Sequence, residues 1–119
     1  MSSIDHLVVG SNDLDGLEAW WKEVAGEAAE PGGAHVGRGT RNALVGLGPT
    51  TYLELIGPDP AQVDHVGPRS FGVDQLVDSQ PVLLTFAVAV DDLDAARATY
   101  EAAGVATTEP FPMERLTPR

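Results

Sequence analysis

The sequence predicts an α+β fold, in which one complete βαβββ module over residues 1–60 is followed by the start of a second, paired module, with the strands in a mixed, curved sheet. The first observation is an internal repeat, because residues 4–21 align with residues 83–100 at a constant shift of 79. Each copy contains an apolar strand, an acidic turn and an amphipathic helix. The second observation is size. A module of about 60 residues buries too little surface to be stable alone, so the two modules are expected to share a core.

The first strand and helix have recognisable ends. The apolar run that begins at residue 3 ends at Gly10, and His6 lies on an otherwise apolar face of this strand. Asn12 or Asp13 is placed to cap the following helix, and Gly26 is placed to end it.

The middle of the first module predicts a β-hairpin. Residues 42–47 and 51–57 form two apolar strands joined by a Gly-Pro-Thr turn. Alternation places Glu54 on the face opposite to that of its two leucine neighbours, which point toward the helix. The segment 30–40 is rich in glycine and proline, which predicts a loop with a short strand around residues 35–38.

The second half of the chain is predicted to be less complete. Residues 61–81 are expected to be a linker with one helical turn. Residues 82–119 are expected to form a partial second module of strand, helix, short strand and proline-broken tail, with the helix capped at Asp91 or Asp92. We expect either that the natural product continues beyond Arg119 or that this end is disordered.

Composition limits the classes of partner. The chain has 18 acidic and 7 basic residues, for a formal charge of -11, which disfavours nucleic acids and anionic membranes. It has no cysteine, so neither disulfides nor thiolate chemistry contribute. It has neither a signal-like N-terminal segment nor an apolar run of membrane-spanning length, so we expect a cytoplasmic protein.

Three stretches carry a family resemblance: IDHLVVGSNDLD, GRGTRNALVGLG followed by YLELIGPDP, and LLTFAVAVDDLDAA. Together they are similar to the vicinal oxygen chelate superfamily and, within it, to the glyoxalase-like domain proteins. The resemblance covers residues 3–60 and, in part, residues 82–108. It implies that two βαβββ modules pair so that their sheets form a cup, where many members hold one divalent metal ion.

The resemblance implies that His6 and Glu54 are the metal ligands of the first module. Imidazole and carboxylate ligands suit Fe, Mn, Co, Ni or Zn, and such an ion would polarise a substrate with two adjacent oxygens. The reaction would then be of a lyase, isomerase or dioxygenase-like type, and Glu54 is also the candidate catalytic base. From the residues alone, a hydrogen-bonded buried histidine also explains His6, and an ion pair with Arg41 also explains Glu54.

Thr85 departs from the family pattern. It occupies the repeat position that corresponds to His6, so the second half lacks that ligand. Two protein ligands are fewer than the three of a typical catalytic zinc site. We expect a homodimer, which would bring two pairs of His6 and Glu54 together.

A second polar cluster is expected at the mouth of the middle strands. Arginine suits two-point binding of carboxylate or phosphate, so this cluster is predicted to orient an anionic substrate. Alternatively, the arginines pair with surface acids of this acidic chain. The predicted substrate-binding residues are His35, Arg38, Arg41 and Asn42.

These observations leave three functional hypotheses. The first is a glyoxalase-like protein that binds or transforms a small oxygen-rich metabolite in a sheet-lined cup. In one form of this hypothesis, a divalent metal ion takes part. The second, favoured by Thr85, is a metal-free small-molecule binding or resistance protein. The third is an interaction domain that dimerisation completes.

Overall fold

The computed structural model describes residues 3–77 and 80–112. The elements in these ranges are, in chain order, β1 Ser3–Gly10, α1 Leu14–Ala25, β2 Glu30–His35, β3 Thr40–Gly46, β4 Tyr52–Pro58, a 3-10 helix Ser70–Gln75, β5 Val82–Ala89 and α2 Leu93–Ala102. The first five elements have the predicted βαβββ order.

The five strands form one mixed sheet in the order β2-β3-β4-β1-β5. β1 pairs in parallel with β4 and antiparallel with β5. The β2–β3 and β3–β4 pairs are antiparallel. The sheet does not close into a barrel, and the α+β fold class with a mixed sheet is confirmed.

Alternation along β4 separates the two faces of the sheet. Leu53 and Leu55 are buried on the side of α1, where they pack with Leu14 and Leu17 of that helix. Gly57 continues this close contact, because a Cβ atom at this position would lie 2.8 Å from the Cβ of Leu14. The helix therefore covers one sheet face and leaves the other for the site.

Both α-helices begin at an aspartate cap. The Asp13 carboxylate accepts a hydrogen bond from the Gly16 backbone N–H at 3.1 Å, and Asp92 does the same for Ala95 at 3.0 Å. α1 ends at Gly26, whose φ of 77° is the left-handed conformation that glycine adopts readily. Neither of these helices is long and apolar enough to cross a membrane, as judged within the described ranges.

The segment between β4 and β5 packs across the sheet face opposite α1. It contains the expected helical turn, and Val73 of this turn is fully buried against Val8 and Ile56. The Asn12 side chain donates to the Leu76 carbonyl oxygen at 2.8 Å. The segment therefore helps to form the site face rather than only joining two strands.

The strand expected around residues 35–38 lies earlier in the chain. β2 ends at His35, and the next residues form the turn to β3. Gly37 and Gly39 have φ of 83° and 74°, which takes this turn out of the extended conformation.

The short strand expected after α2 is also wrong for the residues that can be described. Residues 105–112 contain no strand. Pro110 and Pro112 lack the backbone N–H that a strand ladder uses. The rest of the predicted tail, residues 113–119, lies outside the described residues.

Candidate functional site

A concave pocket of about 580 Å³ lies on the sheet face opposite α1. Apolar side chains of β1, β4 and β5, among them Val8, Ile56 and Ala87, form much of its wall. The β2–β3 turn and the 3-10 helix contribute its mouth. This size is within the range of small-molecule sites.

A polar floor, formed by His6, His35 and Glu54, interrupts these apolar walls. The Glu54 carboxylate is at the centre, with Oε1 3.5 Å from His6 Nε2 and Oε2 3.3 Å from His35 Nε2. Glu54 is only 7% exposed. The fold thus places a buried carboxylate between imidazoles from two different strands.

Asn42 holds the Glu54 carboxylate from the neighbouring strand. Its Nδ2 donates to Glu54 Oε2 at 2.6 Å, and its Oδ1 accepts from the Gly33 backbone N–H at 2.9 Å. Asn42 is 5% exposed, so these are buried hydrogen bonds. We therefore regard Asn42 as a residue that positions Glu54.

Opposing effects set the pKa of Glu54. Burial raises the pKa, because desolvation disfavours the charged carboxylate. Hydrogen bonds from His35 and Asn42, together with the positive charge that His35 and His6 can carry, lower it. The lowering effects are larger in sum, so the pKa of Glu54 lies below its ordinary value and the group is ionised at neutral pH.

The His6 ring is oriented from behind by two neighbours. Its Nδ1 donates to Asp5 Oδ2 at 2.8 Å, since a carboxylate can only accept. The ring also stacks on Tyr52, with ring centroids 4.6 Å apart. These contacts turn Nε2 of His6 toward Glu54.

His35 is oriented in a similar way by a buried hydroxyl. Its Nδ1 lies 2.8 Å from Thr40 Oγ1, and Thr40 is fully buried. When the hydroxyl donates to Nδ1, the ring hydrogen is on Nε2 and faces the Glu54 carboxylate. The contact with Thr40 is therefore compatible with a ring hydrogen on Nε2, from which His35 donates to Glu54.

The family model of the glyoxalase-like domain matches residues 4–119. The chain belongs to the glyoxalase-like domain family. The resemblance to the vicinal oxygen chelate superfamily is thereby confirmed. No curated protein gives a significant sequence match.

Solved structures share the fold of this glyoxalase-like domain at low identity. A methylmalonyl-CoA epimerase from Mycobacterium tuberculosis is 23% identical with a TM-score of 0.60, over 85% of this chain and 63% of that one. A variant methylmalonyl-CoA epimerase from Streptomyces coelicolor, in complex with 2-nitronate-propionyl-CoA, is 22% identical with a TM-score of 0.62, over 87% and 71%. A hypothetical protein from Staphylococcus aureus is 21% identical with a TM-score of 0.68, over 100% and 48%. The chain thus spans less than two thirds of the first and about half of the last.

The two arginines of the predicted polar cluster lie on opposite faces of the glyoxalase-like domain. Arg38 lines the pocket mouth. Arg41 instead donates from Nη2 to Asp15 Oδ1 at 3.2 Å on the side of α1. The alternative in which Arg41 pairs with Glu54 is therefore wrong, because alternate residues of β3 face opposite sides of the sheet.

Three aromatic residues that line the pocket were not among the predicted site residues: Tyr52, Phe71 and Phe111. Tyr52 shares its strand face with Glu54, so alternation could have indicated it. Phe71 is the one Phe, Tyr or Trp residue in the segment 61–81, where turn residues surround it. Phe111 gives no such signal, because its place in the pocket depends on tertiary packing.

The donor set of the pocket contains one pair of atoms suited to a metal ion. His6 Nε2 and Glu54 Oε1 are 3.5 Å apart, and two ligands of a tetrahedral ion with bonds of about 2.1 Å lie about 3.4 Å apart. One pair therefore has a suitable separation. Within residues 3–77 and 80–112, however, no group of three His, Cys, Asp or Glu side chains is arranged to hold a metal ion. The described residues do not fit a complete resident metal site.

Proposed function

We propose that this glyoxalase-like domain binds and transforms a small oxygen-rich metabolite in the pocket, with Glu54 as the proton acceptor. One observation carries the proposal: a buried carboxylate, ionised at neutral pH, lies on the floor of a largely apolar pocket, with two imidazoles within 3.5 Å. Convergent polar groups in an apolar pocket are typical of small-molecule sites.

The arrangement supports proton transfer next to a carbonyl group. Glu54 would take a proton from a carbon beside the carbonyl, and the electron pair of that C–H bond would pass to the carbonyl oxygen as an enolate. Return of the proton to the same carbon on its opposite face inverts the configuration of that carbon. Where that carbon also carries a hydroxyl, the proton can return to the former carbonyl carbon while the hydroxyl proton moves to the enolate oxygen, which completes an isomerisation. Loss of a leaving group from the enolate instead gives a lyase reaction. His6 and His35 would keep the carboxylate oriented through either course.

The ligand is inferred to be smaller than a CoA ester. The M. tuberculosis and S. coelicolor neighbours are named as methylmalonyl-CoA epimerases. CoA carries several negative charges, whereas this chain has a formal charge of -11. Apart from histidines, Arg38 is the cationic residue that lines the pocket among the described residues. A ligand with few negative charges suits this site better.

The donor set supports the metal-free form of the proposal. A metal ion at His6 and Glu54, as the superfamily resemblance implies, would supply Lewis-acid polarisation of substrate oxygens when bound. Its remaining ligands would have to come from outside the described residues. The proposed proton transfer needs Glu54 and no such ion.

A ligand panel tests this function. We expect that at least one compound among hydroxy acids, keto acids, diols and hydroxyketones raises the Tm of the chelator-treated protein. A compound present at 100 times its Kd adds about 2.7 kcal/mol to the free energy of unfolding. Glu54→Gln should reduce the shift by about half or more, because a tenfold weaker ligand contributes only about 1.4 kcal/mol at the same concentration, whereas Glu23→Gln on the exposed side of α1 should retain it.

Two outcomes of the panel would contradict the proposal. If every compound leaves Tm unchanged, both in the absence and in the presence of added Mn, Co or Zn ions, the pocket is not a metabolite site. If compounds act only after a metal ion is added, the metal-free form is wrong.

We also propose that residues 82–112 begin a second module related to the first by a two-fold axis. In the β1–β5 pairing, His6 lies opposite Ala87 and Val8 lies opposite Thr85. The repeat aligns His6 with Thr85 and Val8 with Ala87. It therefore converts the pair His6–Ala87 into the pair Thr85–Val8. Such an exchange is expected when the two strands belong to modules related by a two-fold axis.

A second candidate function is an interaction domain completed by a second copy of this chain. β5 is at one end of the strand order, where an unpaired strand edge favours association. Leu83 and Phe86 of β5 are 67% and 58% exposed, and α2 has no buried residue. The outer part of the sheet therefore offers an apolar surface for a second copy.

Light scattering after size-exclusion chromatography tests the second candidate. The wild-type protein is expected to be a dimer at about micromolar concentration, and Phe86→Glu is expected to be a monomer because the charge would be buried in the contact. Phe111→Glu, at a side chain of similar exposure (56%) on the pocket mouth, is the matched control and should remain dimeric. A wild-type monomer would exclude this role.

A further inference from the structure

The mouth of the pocket carries a rim, formed by Arg38, Phe71 and Phe111, that the proton transfer does not use. We propose that this rim selects small amphipathic anions. In such a ligand, a carboxylate or phosphate contacts Arg38, an apolar segment lies against the two phenylalanines, and the far end offers a hydroxyl or an acidic C–H to Glu54. This inference rests on the proposed function and adds the class of substrate.

The first support is the charge environment of Arg38. The chain has 18 acidic residues, yet the Arg38 guanidinium makes no ion pair within the part of the chain that the structure describes. Arg41 and Arg97, by contrast, each pair with a carboxylate. The Arg38 guanidinium carbon instead lies 5.4 Å from the centre of the Phe111 ring. A cation–π contact holds the guanidinium in place and leaves N–H donors for an anion.

The second support is the backbone of Phe71. It is the one non-glycine residue in the described ranges with a positive φ, at 58° with ψ of 11°. This conformation is costly for a residue with a bulky side chain. The ring is 54% exposed, so core packing does not compensate for the strain. A strained, exposed aromatic ring on a pocket wall is accounted for by contact with a ligand.

The third support is that the loops behind the rim are fixed to each other. The Ser70 backbone N–H donates to the Arg38 carbonyl oxygen at 3.0 Å. Arg69 Nη1 donates to the Gly39 carbonyl oxygen at 2.6 Å, and Gln62 Oε1 accepts from the Gly39 backbone N–H at 3.1 Å. The two loops that carry Arg38 and Phe71 are therefore held in position before a ligand arrives, which lowers the entropic cost of binding.

The apolar wall beside the polar floor explains why part of the ligand is apolar. Val8 and Ile56 line this part of the pocket and are 2% and 1% exposed. A polar segment placed against them would lose its hydrogen bonds to water without replacement. The pocket therefore combines an anion site, an apolar wall and a proton acceptor.

Two fluorescent probes test the rim. Anilinonaphthalene sulfonate has an aromatic body and one anionic group, and phenylnaphthylamine has a similar body without charge. Arg38→Met should weaken the sulfonate by about tenfold, as expected for loss of a hydrogen bond to a charged group, and should change phenylnaphthylamine by less than about threefold. Lys22→Met removes a positive charge from an exposed position of α1, on the other face of the sheet, and is the control that should leave both affinities unchanged.

A second variant tests the aromatic part of the rim. Phe71→Gly keeps the left-handed backbone, so its Tm should remain within about 4 °C of that of the wild type. It should nevertheless weaken both probes by about fivefold, because each loses an aromatic contact. Cooperative thermal unfolding of each variant verifies that the fold is intact.

The possible failures are separable. Equal sulfonate affinity for the wild type and Arg38→Met, or unchanged affinity of both probes for Phe71→Gly, would overturn the rim inference. In that case, binding of uncharged hydroxyketones that depends on Glu54 would still support the proposed function. Conversely, the sulfonate could bind in a way that depends on Arg38 while no ligand binds in a way that depends on Glu54. That result would support the rim inference and contradict the proposed function.

Discussion

Replacing Asn42 with Asp is expected to lower the free energy of unfolding by about 3 kcal/mol at neutral pH. The Asn42 amide donates to Glu54 Oε2 at 2.6 Å inside the protein. An aspartate at this position can only accept while it is ionised, so two buried carboxylates would face each other. Urea unfolding at about pH 7.5 and at about pH 4.5, close to the ordinary pKa of a carboxyl group, measures the effect.

The pH dependence of this effect has a definite sign. In Asn42→Asp, repulsion raises the folded-state pKa of the carboxyl pair above its unfolded value, so the penalty shrinks as the pH falls and one group takes a proton. In the wild type, the pKa of Glu54 is lowered, so its stabilising contribution is present above the ordinary value and is lost as the pH falls through the folded-state pKa. The two stability curves should therefore converge in acid.

The exposed amide of Gln75 provides the control for Asn42→Asp. Its Nε2 lies 3.5 Å from Asp74 Oδ2, so Gln75→Glu also places one carboxylate beside another, but in contact with water. We expect a change within about 0.5 kcal/mol. Equal destabilisation by the two substitutions, or a penalty for Asn42→Asp that does not depend on pH, would contradict the described contact between Asn42 and Glu54.

Replacing Leu55 with Ala is expected to cost about 2–5 kcal/mol of the free energy of unfolding. Leu55 is fully buried beneath α1, next to Leu14 and Leu17. The shortened side chain would leave a cavity that two fixed layers cannot close. Because Leu55 is on the face opposite the pocket, the affinity of a pocket ligand for the folded variant should be unchanged. Denaturant unfolding and ligand titration measure the two quantities.

An exposed leucine gives the matched comparison for Leu55→Ala. Leu47 follows β3 and is 50% exposed. Leu47→Ala should change the free energy of unfolding by no more than about 0.5 kcal/mol. If Leu55→Ala were as mild as Leu47→Ala, the described packing of β4 against α1 would be wrong.

Local periodicity was sufficient to predict much of the first module. Alternation along β4 correctly placed Glu54 and Leu55 on opposite faces, because neighbouring side chains of a strand must diverge. Aspartate and glycine signals identified the ends of α1, since helix termini leave backbone groups that these residues satisfy. The start of β2 was missed because its glycine and proline composition is typical of a loop.

The composition of the site was harder to predict, because it depends on contacts between distant residues. The contact of His35 with Glu54 requires the β2-β3-β4 order and the irregular β2–β3 register, neither of which has a local signal. Arg41 was grouped with Asn42, yet a single step along β3 puts it on the other face. Phe71 reaches the pocket only because the segment around it packs on the sheet.

The most direct test is the affinity of the metal-free protein for the strongest ligand of the panel, measured by calorimetry with a chelator present. The proposed role of Glu54 predicts binding by the wild type and at least about tenfold weaker binding by Glu54→Gln, since the variant loses a hydrogen bond to a charged group. Glu23→Gln should bind like the wild type. Equal affinity of Glu54→Gln and wild type would contradict a metabolite site centred on Glu54.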